Sequence, residues 1–182
     1  MDEAAVIAAV REWIERAVIG LNLCPFAKAV YVKNQVRFVV STAPHLDGLL
    51  EDLDRELDFL AAADPMDVDT TLLIHPTLLA DFLDFNDFLQ IAESAVGELG
   101  LEGVIQIASF HPHFQFAGTE PDDIGNFTNR APFPTLHLLR EASIARAVAA
   151  YPEAETIYER NIETLQKLGH AGWDALWQKP EN

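Results

Sequence analysis

Residues 69–112 read DTTLLIHPTLLADFLDFNDFLQIAESAVGELGLEGVIQIASFHP, and this stretch decides the fold class. Two short apolar runs, residues 69–74 and 104–110, have the length and composition of buried strands. Between them, residues 81–99 place apolar side chains at helical spacing and stop at Gly100. A strand, a helix and a second strand in this order predict a βαβ unit with parallel strands.

The segments on either side extend this pattern. A hairpin is predicted from strands at residues 29–32 and 36–40. Helices are predicted at residues 4–20, 45–62, 134–149 and 153–168. We therefore predict one globular domain over residues 1–182 with an α/β fold, in which a small, mostly parallel or mixed sheet is covered by helices and further helices follow at the C-terminal end. The alternative is an α+β fold with a mixed sheet.

The composition restricts the partners of the protein. The chain has 182 residues, is 49% hydrophobic and carries a formal net charge of -17. Such a charge repels the phosphates of nucleic acids and of anionic membranes, so we expect neither as a partner. Cys24 is the only cysteine, and the chain has no signal-peptide pattern and no apolar run of about 20 residues. These features predict a cytoplasmic protein, and they leave its oligomeric state open.

Both predicted strands of the central unit end in the dipeptide His-Pro, at His75 and at His111. If the two strands are parallel neighbours, the two rings lie side by side at the carboxyl edge of the sheet, where open α/β sheets bind ligands. His113 follows two residues later, and in an extended chain its ring points to the same side as that of His111. Three imidazoles are suited to acid–base catalysis or to a transition metal such as zinc or iron. The alternative is that the rings bond loop carbonyls and close the strands.

A long polar loop follows His113 and supplies candidate substrate-binding residues. Arg130 has the planar guanidinium that holds a carboxylate or phosphate with two hydrogen bonds. Asn126 and Asn129 are candidates to orient a polar ligand. Irregular segments of this length in compact domains are often functional. The alternative is a scaffolding role, in which the asparagines form turns and Arg130 pairs with an aspartate of the loop.

Two further residues have open roles. His137 shares a face of the helix predicted at residues 134–149 with Arg140 and Glu141, and this face either looks into the ligand cleft or is exposed and salt-linked. Cys24 is a nucleophile if a histidine approaches it. Otherwise it is buried as a small apolar side chain.

Three of these segments also resemble a known family. Residues 13–27 (WIERAVIGLNLCPFA), 109–112 (SFHP) and 129–141 (NRAPFPTLHLLRE) resemble the bacterial domain-of-unknown-function family numbered 1415, and the resemblance covers nearly the whole chain. The family implies no activity, substrate or catalytic residue, so functional inference rests on the residues themselves.

The residues support two hypotheses of different classes. In the first, the protein is an enzyme for a small polar, anionic metabolite, with His75, His111 and His113 as acid–base groups or metal ligands and Arg130 as the substrate clamp. In the second, the same loop captures an anion or a partner protein without catalysis. An enzyme needs a reactive group within reach of a bound ligand, whereas a binding protein needs only shape and charge.

Overall fold

A computed structural model of the chain describes residues 2–151 and 153–178, and it contains a four-stranded sheet with helices packed on both faces. The helices are α1 (Glu3–Trp13), α2 (Ala27–Val32), α3 (Leu46–Ala62), α4 (Phe82–Glu98), α5 (Glu141–Ala150) and α6 (Ile157–Ala175). The strands are β1 (Val36–Val40), β2 (Thr70–Ile74), β3 (Ile105–Phe110) and β4 (Thr135–Arg140). A π-helical segment, Ile14–Ile19, continues α1, and 3-10 turns lie at Ile124–Asn129 and Ala154–Thr156. Gly169 interrupts α6 with a positive φ of 64°.

The sheet is mixed, with the strand order β1-β2-β4-β3. β1 and β2 are parallel, and α3 connects them as the crossover helix. β4 is antiparallel to both β2 and β3 and lies between them. β1, β2 and β3 therefore point in the same direction, and only β4 is reversed. This arrangement confirms the predicted α/β architecture in its mixed form.

Each face of the sheet has its own apolar core. On one face, α3 and α4 bury side chains such as Leu57 and Phe85 against Leu73 of β2 and Leu138 of β4. On the other face, α1, the π-helical segment and α6 pack against β2. Successive residues of a strand point to opposite faces, so a strand between two cores is apolar along its whole length. β2 has this pattern, and all of its residues are buried.

The predicted hairpin at residues 29–32 and 36–40 is wrong. Residues 29–32 lie in α2, and β1 pairs with β2 instead. Ala27, Lys28 and Ala29 favour a helix. Asn34 follows with a positive φ of 57°, a conformation typical of a residue that ends a helix. The β-branched residues of this segment are typical of a strand. A helix of six residues is too short to show a clear helical periodicity that would outweigh them.

The predicted helix at residues 134–149 is half wrong. Its first part is β4, which is a central strand, and only Glu141–Ala150 is helical. The segment Thr135–Arg140 has apolar residues at both strand and helix spacings, because the two faces of β4 are both covered. Arg140 and His137 are three residues apart in a strand, so the shared helical face predicted for His137, Arg140 and Glu141 does not exist.

The other elements agree with their predictions to within a few residues, apart from α6, which starts at Ile157 and extends to Ala175. α4 begins where Asp81 caps it, with its carboxylate accepting from the backbone N–H groups of Leu83 and Asp84. Within residues 2–151 and 153–178, no helix combines the length and apolar character that crossing a membrane requires.

Candidate functional site

His75 and His111 lie at the same end of the sheet, but they are not neighbours. Each follows the last residue of a strand, β2 or β3, and these strands run in the same direction with β4 between them. Since adjacent strands are spaced by about 4.8 Å, the two strand ends are separated by roughly 10 Å. The side-by-side placement expected from neighbouring parallel strands is therefore wrong, because β4 separates the two strands.

Both of these imidazoles are fully engaged with the backbone. Nε2 of His75 is 3.0 Å from the carbonyl oxygen of Ala43, and its Nδ1 accepts from the N–H of Leu78 at 2.8 Å. Nε2 of His111 is 2.9 Å from the carbonyl oxygen of Leu79, and its Nδ1 accepts from the N–H of His113 at 3.0 Å. Burial lowers the pKa of both histidines. In these positions the neutral rings connect loops and have no ring nitrogen left for a metal or a proton.

The backbone N–H of His113 belongs to that network, but its side chain has no hydrogen bond in it. The chain turns at Pro112 and is not extended, and the rings of His111 and His113 are 5.9 Å apart between centroids. The side chain of His113 is exposed. Among the described residues, no group of three or more histidines, cysteines, aspartates or glutamates is arranged to hold a metal ion.

The two asparagines of the polar loop hold its backbone. Asn126 is buried, and its Oδ1 accepts from the N–H of Phe116 at 2.9 Å and from the hydroxyl of Thr119 at 2.8 Å. Its Nδ2 donates to the carbonyl of Glu120. Asn129 donates to the carbonyl oxygen of Ser109 at 3.2 Å. These contacts correspond to the scaffolding alternative for the asparagines.

Arg130 lines a cleft at the carboxyl end of β3, which we call the edge cleft. The cleft has a volume of about 630 Å³, and its walls include Asp81, Phe82, His113, Asp122, Phe127 and His170. The guanidinium of Arg130 lies 4.1 Å from the ring centroid of Phe127 and donates to the carbonyl oxygens of Phe114 and Pro121. No carboxylate of the described residues lies within 4.0 Å of it. Burial lowers the pKa of Arg130, while the charge of Asp122 opposes this effect.

A larger cavity lies on the sheet face that carries α1, and we call it the face pocket. Its volume is about 820 Å³, and it is mostly apolar. The floor is formed by β2, β4 and β3, with Leu72, His137 and Ala108 in register across the three strands. The walls come from Trp13, residues 24–27, α2 and α5. Only the tertiary structure brings these separate segments together.

His137 is the central polar group of the face pocket. Its Nε2 is 2.7 Å from the hydroxyl oxygen of Thr70, which lies 2.6 Å from the carbonyl oxygen of Leu138. A carbonyl only accepts, so the single hydroxyl proton of Thr70 goes to Leu138 and Nε2 of His137 is the donor to Thr70. Nδ1 is therefore an acceptor, and it has no partner among the hydrogen bonds of the described residues. Burial lowers the pKa of His137 to about 4, so the ring is neutral at pH 7.

Basic residues outnumber acidic residues in the lining of the face pocket. Lys33, Arg140 and Arg146 line the pocket, and Asp69 is the only acidic residue among the residues that line it. The carboxylate of Asp69 accepts from the hydroxyl of Ser143 at 2.6 Å. Arg140 was predicted only as part of a helical face. Reading residues 135–140 as an alternating strand would have placed Thr135, His137 and Leu139 on one face and so indicated part of this pocket.

Cys24 also lines the face pocket and is half-buried. Burial raises the pKa of its thiol, and weaker backbone hydrogen bonds from Phe26 and Ala27 oppose the shift. A thiol in this state is protonated at neutral pH and is a weak nucleophile. Its position corresponds to the apolar role that was the alternative for this residue.

Residues 5–175 match the family described as a protein of unknown function, DUF1415. The chain belongs to this family. No curated protein and no solved structure matches the chain. In this DUF1415 chain, all three segments on which the resemblance rests, residues 13–27, 109–112 and 129–141, contribute side chains to the face pocket.

Proposed function

We propose that the protein binds a small organic molecule in the face pocket. The observation that carries this proposal is the position of His137, whose unpartnered Nδ1 is an acceptor in the floor of an apolar cavity of about 820 Å³. Ligand sites of proteins are typically apolar cavities of roughly 300–1,000 Å³ with a few polar groups that orient the ligand. The ligand accordingly has an apolar body and a hydrogen-bond donor that reaches Nδ1.

The hydrogen-bonding state of the imidazole supports this assignment. Nδ1 of His137 is an acceptor without a partner among the described residues. A hydrogen bond that replaces one to water contributes about 0.5–1.5 kcal/mol. This free energy corresponds to a preference of roughly 2- to 13-fold for a ligand with the donor over one without it.

Binding is favoured over acid–base catalysis by the histidines. A general base works best when its pKa is near the working pH, whereas burial lowers the pKa of His137 to about 4. Both ring nitrogens of His75 and of His111 are bonded to backbone groups. The group best placed to contact a ligand is thus Nδ1 of His137, an acceptor that orients the ligand. We therefore propose binding without catalysis.

The test uses 2-naphthol, which combines an aromatic body with one hydroxyl donor. Ala108 is the β3 residue paired with His137, so a larger side chain there fills the pocket. We expect saturable binding to the wild-type protein by isothermal titration calorimetry. Ala108→Leu should weaken it at least about tenfold, which corresponds to about 1.4 kcal/mol. Ala108→Ser leaves the pocket open and is the matched control.

Naphthalene, which lacks the hydroxyl, measures the contribution of the donor. We expect it to bind more weakly than 2-naphthol to the wild-type protein and about equally with it to His137→Phe. Equal binding of 2-naphthol to wild type, Ala108→Leu and Ala108→Ser would refute the face pocket as the site. The absence of measurable 2-naphthol binding to the wild type would also contradict the proposal.

A second candidate function is the capture of a small anion in the edge cleft, which retains the sequence-based role of Arg130. The specific observation is that this half-buried guanidinium has only carbonyl and aromatic partners, with no carboxylate of the described chain within 4.0 Å. His113 and His170 offer further donors in the same cleft.

Titration with inorganic phosphate and with succinate tests this second function. Arg130→Lys should preserve the fold and weaken binding, because lysine lacks the planar pair of donors. Arg55→Lys, in an exposed position on α3, is the control. Equal affinities of all three proteins, or no binding at all, would reject the edge cleft as an anion site.

A further inference from the structure

We propose that the free edge of β1 is a docking site for an extended, acidic segment of a partner protein. The segment adds to the sheet as a further strand beside β1. This surface is distinct from the face pocket, whose floor is formed by β2, β4 and β3. Three features of the molecule support the assignment: the hydrogen bonds of the two sheet edges, the side chains that flank β1, and the local charge.

The backbone of β1 has a row of free hydrogen-bonding groups along its outer side. The N–H of Ser41 donates to the carbonyl oxygen of Ile74 at 2.8 Å, and the carbonyl oxygen of Gln35 accepts from the N–H of Asp69 at 2.9 Å. In a parallel pair, alternate residues of a strand direct their backbone groups to the partner strand. The odd-numbered residues therefore face β2, and residues 36, 38 and 40 face away from it. β1 is an end strand of the sheet, and these outward groups have no partner among the described residues.

The opposite edge of the sheet, at β3, is closed at both ends. The N–H of Ile105 faces away from β4 and donates to the carbonyl oxygen of Leu101 at 3.0 Å. The carbonyl oxygen of Ser109 also faces away from β4 and accepts from the side chain of Asn129 at 3.2 Å. Proteins commonly protect sheet edges against pairing with other strands. The edge of β3 has such protection, whereas the edge of β1 is open along its length.

Two arginine–aromatic stacks flank the free edge, one on each face of the sheet. On the face that carries α1, the guanidinium of Arg11 lies 4.2 Å from the ring centroid of Phe38. On the face that carries α3, the guanidinium of Arg37 lies 4.2 Å from the ring centroid of Phe59, which is 39% exposed. Side chains of an added strand alternate between the two faces. Each face therefore offers them an aromatic ring beside a guanidinium.

The guanidinium of Arg11 is the group that selects an acidic segment. Its side chain is exposed, and no carboxylate of the described residues lies within 4.0 Å of it. Arg37, in contrast, already donates to both oxygens of Glu56. A carboxylate of the partner that reaches Arg11 would form a charge-assisted hydrogen bond.

The segment around this edge is basic, although the chain is acidic. Residues 11–45 comprise the end of α1, the π-helical segment, α2 and β1. They contain five basic and two acidic residues, a net charge of +3, whereas the whole chain carries -17. The basic residues are Arg11, Arg16, Lys28, Lys33 and Arg37. A local excess of positive charge attracts a negative partner. A second copy of this chain is disfavoured as the occupant, because two net charges of -17 repel each other.

Two peptide probes of opposite charge test the docking site. The first is a fluorescein-labelled heptapeptide of alternating glutamate and valine, and the second has lysine in place of glutamate. We expect saturable binding of the glutamate peptide to the wild-type protein in fluorescence anisotropy titrations. The lysine peptide should bind at least about tenfold more weakly.

A proline at residue 40 tests the hydrogen bonds of the edge. The N–H of Val40 faces away from β2, so Val40→Pro removes an outward donor and no hydrogen bond between β1 and β2. Val40→Ala also shortens the side chain but keeps the N–H, and it is the matched control. We expect Val40→Pro to bind the glutamate peptide at least about tenfold more weakly than Val40→Ala.

Charge reversal tests the role of Arg11. Arg11→Glu should weaken binding of the glutamate peptide at least about tenfold. Lys167→Glu makes the same change of charge at an exposed position on α6 and should leave the affinity unchanged. If Val40→Pro fails to fold, the comparison of Arg11→Glu with Lys167→Glu decides.

Several results would overturn the proposal. These are equal or tighter binding of the lysine peptide, equal affinities of Val40→Pro and Val40→Ala, equal effects of Arg11→Glu and Lys167→Glu, and no measurable binding of the glutamate peptide to the wild type. Sedimentation velocity tests a second copy as the occupant. A wild-type dimer that Val40→Pro converts to a monomer would show that β1 pairs with another copy of the chain, and it would also overturn the proposal.

Discussion

The buried imidazole of His137 makes the stability of the fold sensitive to acid. Its pKa is about 4 in the folded protein, against an ordinary value of 6.5. On acidification the unfolded chain therefore takes up a proton before the folded protein does. The contribution of this histidine to the free energy of unfolding is complete above pH 6.5 and is lost as the pH falls through about 4.

The size of the effect follows from the two pKa values. Between pH 7 and pH 5, a single group with these values lowers the free energy of unfolding by at most about 1.8 kcal/mol. Water that enters the face pocket reduces this figure, because it solvates the charged ring. His137→Gln is the informative variant, since the glutamine amide can still donate to Thr70 and does not titrate.

The assay is urea unfolding of both proteins at pH 7 and pH 5, followed by circular dichroism. The two proteins differ only at residue 137, so the comparison between them isolates this residue. We expect the wild type to lose between about 1 and 1.8 kcal/mol more than His137→Gln on acidification. His170→Gln, which changes an exposed ring, should follow the wild type. Equal losses in wild type and His137→Gln would refute the burial of a neutral imidazole at this position.

Three further predictions concern other parts of the molecule. Arg37 donates to both oxygens of Glu56, which is 3% exposed. Arg37→Met should therefore leave a buried carboxylate unpaired and lower the free energy of unfolding by about 2 kcal/mol in urea titrations. An unchanged free energy of unfolding would contradict this role. Cys24 should react with iodoacetamide at pH 7.5 at least about tenfold more slowly in the native protein than in urea, because burial raises the pKa of its thiol. Equal rates in the two conditions would show an accessible thiolate and contradict this prediction. His111→Ala should lower the melting temperature by several degrees, because the ring joins two loops. Both ring nitrogens of His111 have backbone partners, so His111→Ala should not change the zinc and iron content of protein purified without a tag. A metal that is present in the wild type and absent from His111→Ala would support a metal-ligand role for His111.

Most of the local structure could be predicted from the sequence. α3, β2, α4 and β3 were predicted to within a few residues, because their apolar periodicity is regular and their ends carry clear signals such as Asp81 and Gly100. α2 and β4 were not. In both segments the apolar pattern is compatible with either structure, and contacts with distant parts of the chain decide between them.

The candidate site was harder to predict for a related reason. The histidines at the strand ends were identified as a group because they share a motif, yet the structure uses His75 and His111 to hold loops. The carbonyl oxygens of Ala43 and Leu79, which accept hydrogen bonds from these rings, lie 32 residues away in sequence, and no local pattern reveals them. His137 was noted as a ligand-binding candidate, but with the wrong element and the wrong neighbours.

The sequence by itself determined the alternation of strands and helices, the acidic surface and the family of the chain, because these follow from composition and local periodicity. The tertiary structure alone decided that β4 lies between β2 and β3, since strand order depends on pairing between residues far apart in the chain. Because β4 lies between β2 and β3, His75 and His111 are not neighbours at the end of the sheet. The position of β4 also places His137 at the centre of a sheet face, between Leu72 and Ala108. The face pocket exists because α2, α5 and Trp13 enclose that face, and packing of this kind is a property of the folded chain as a whole.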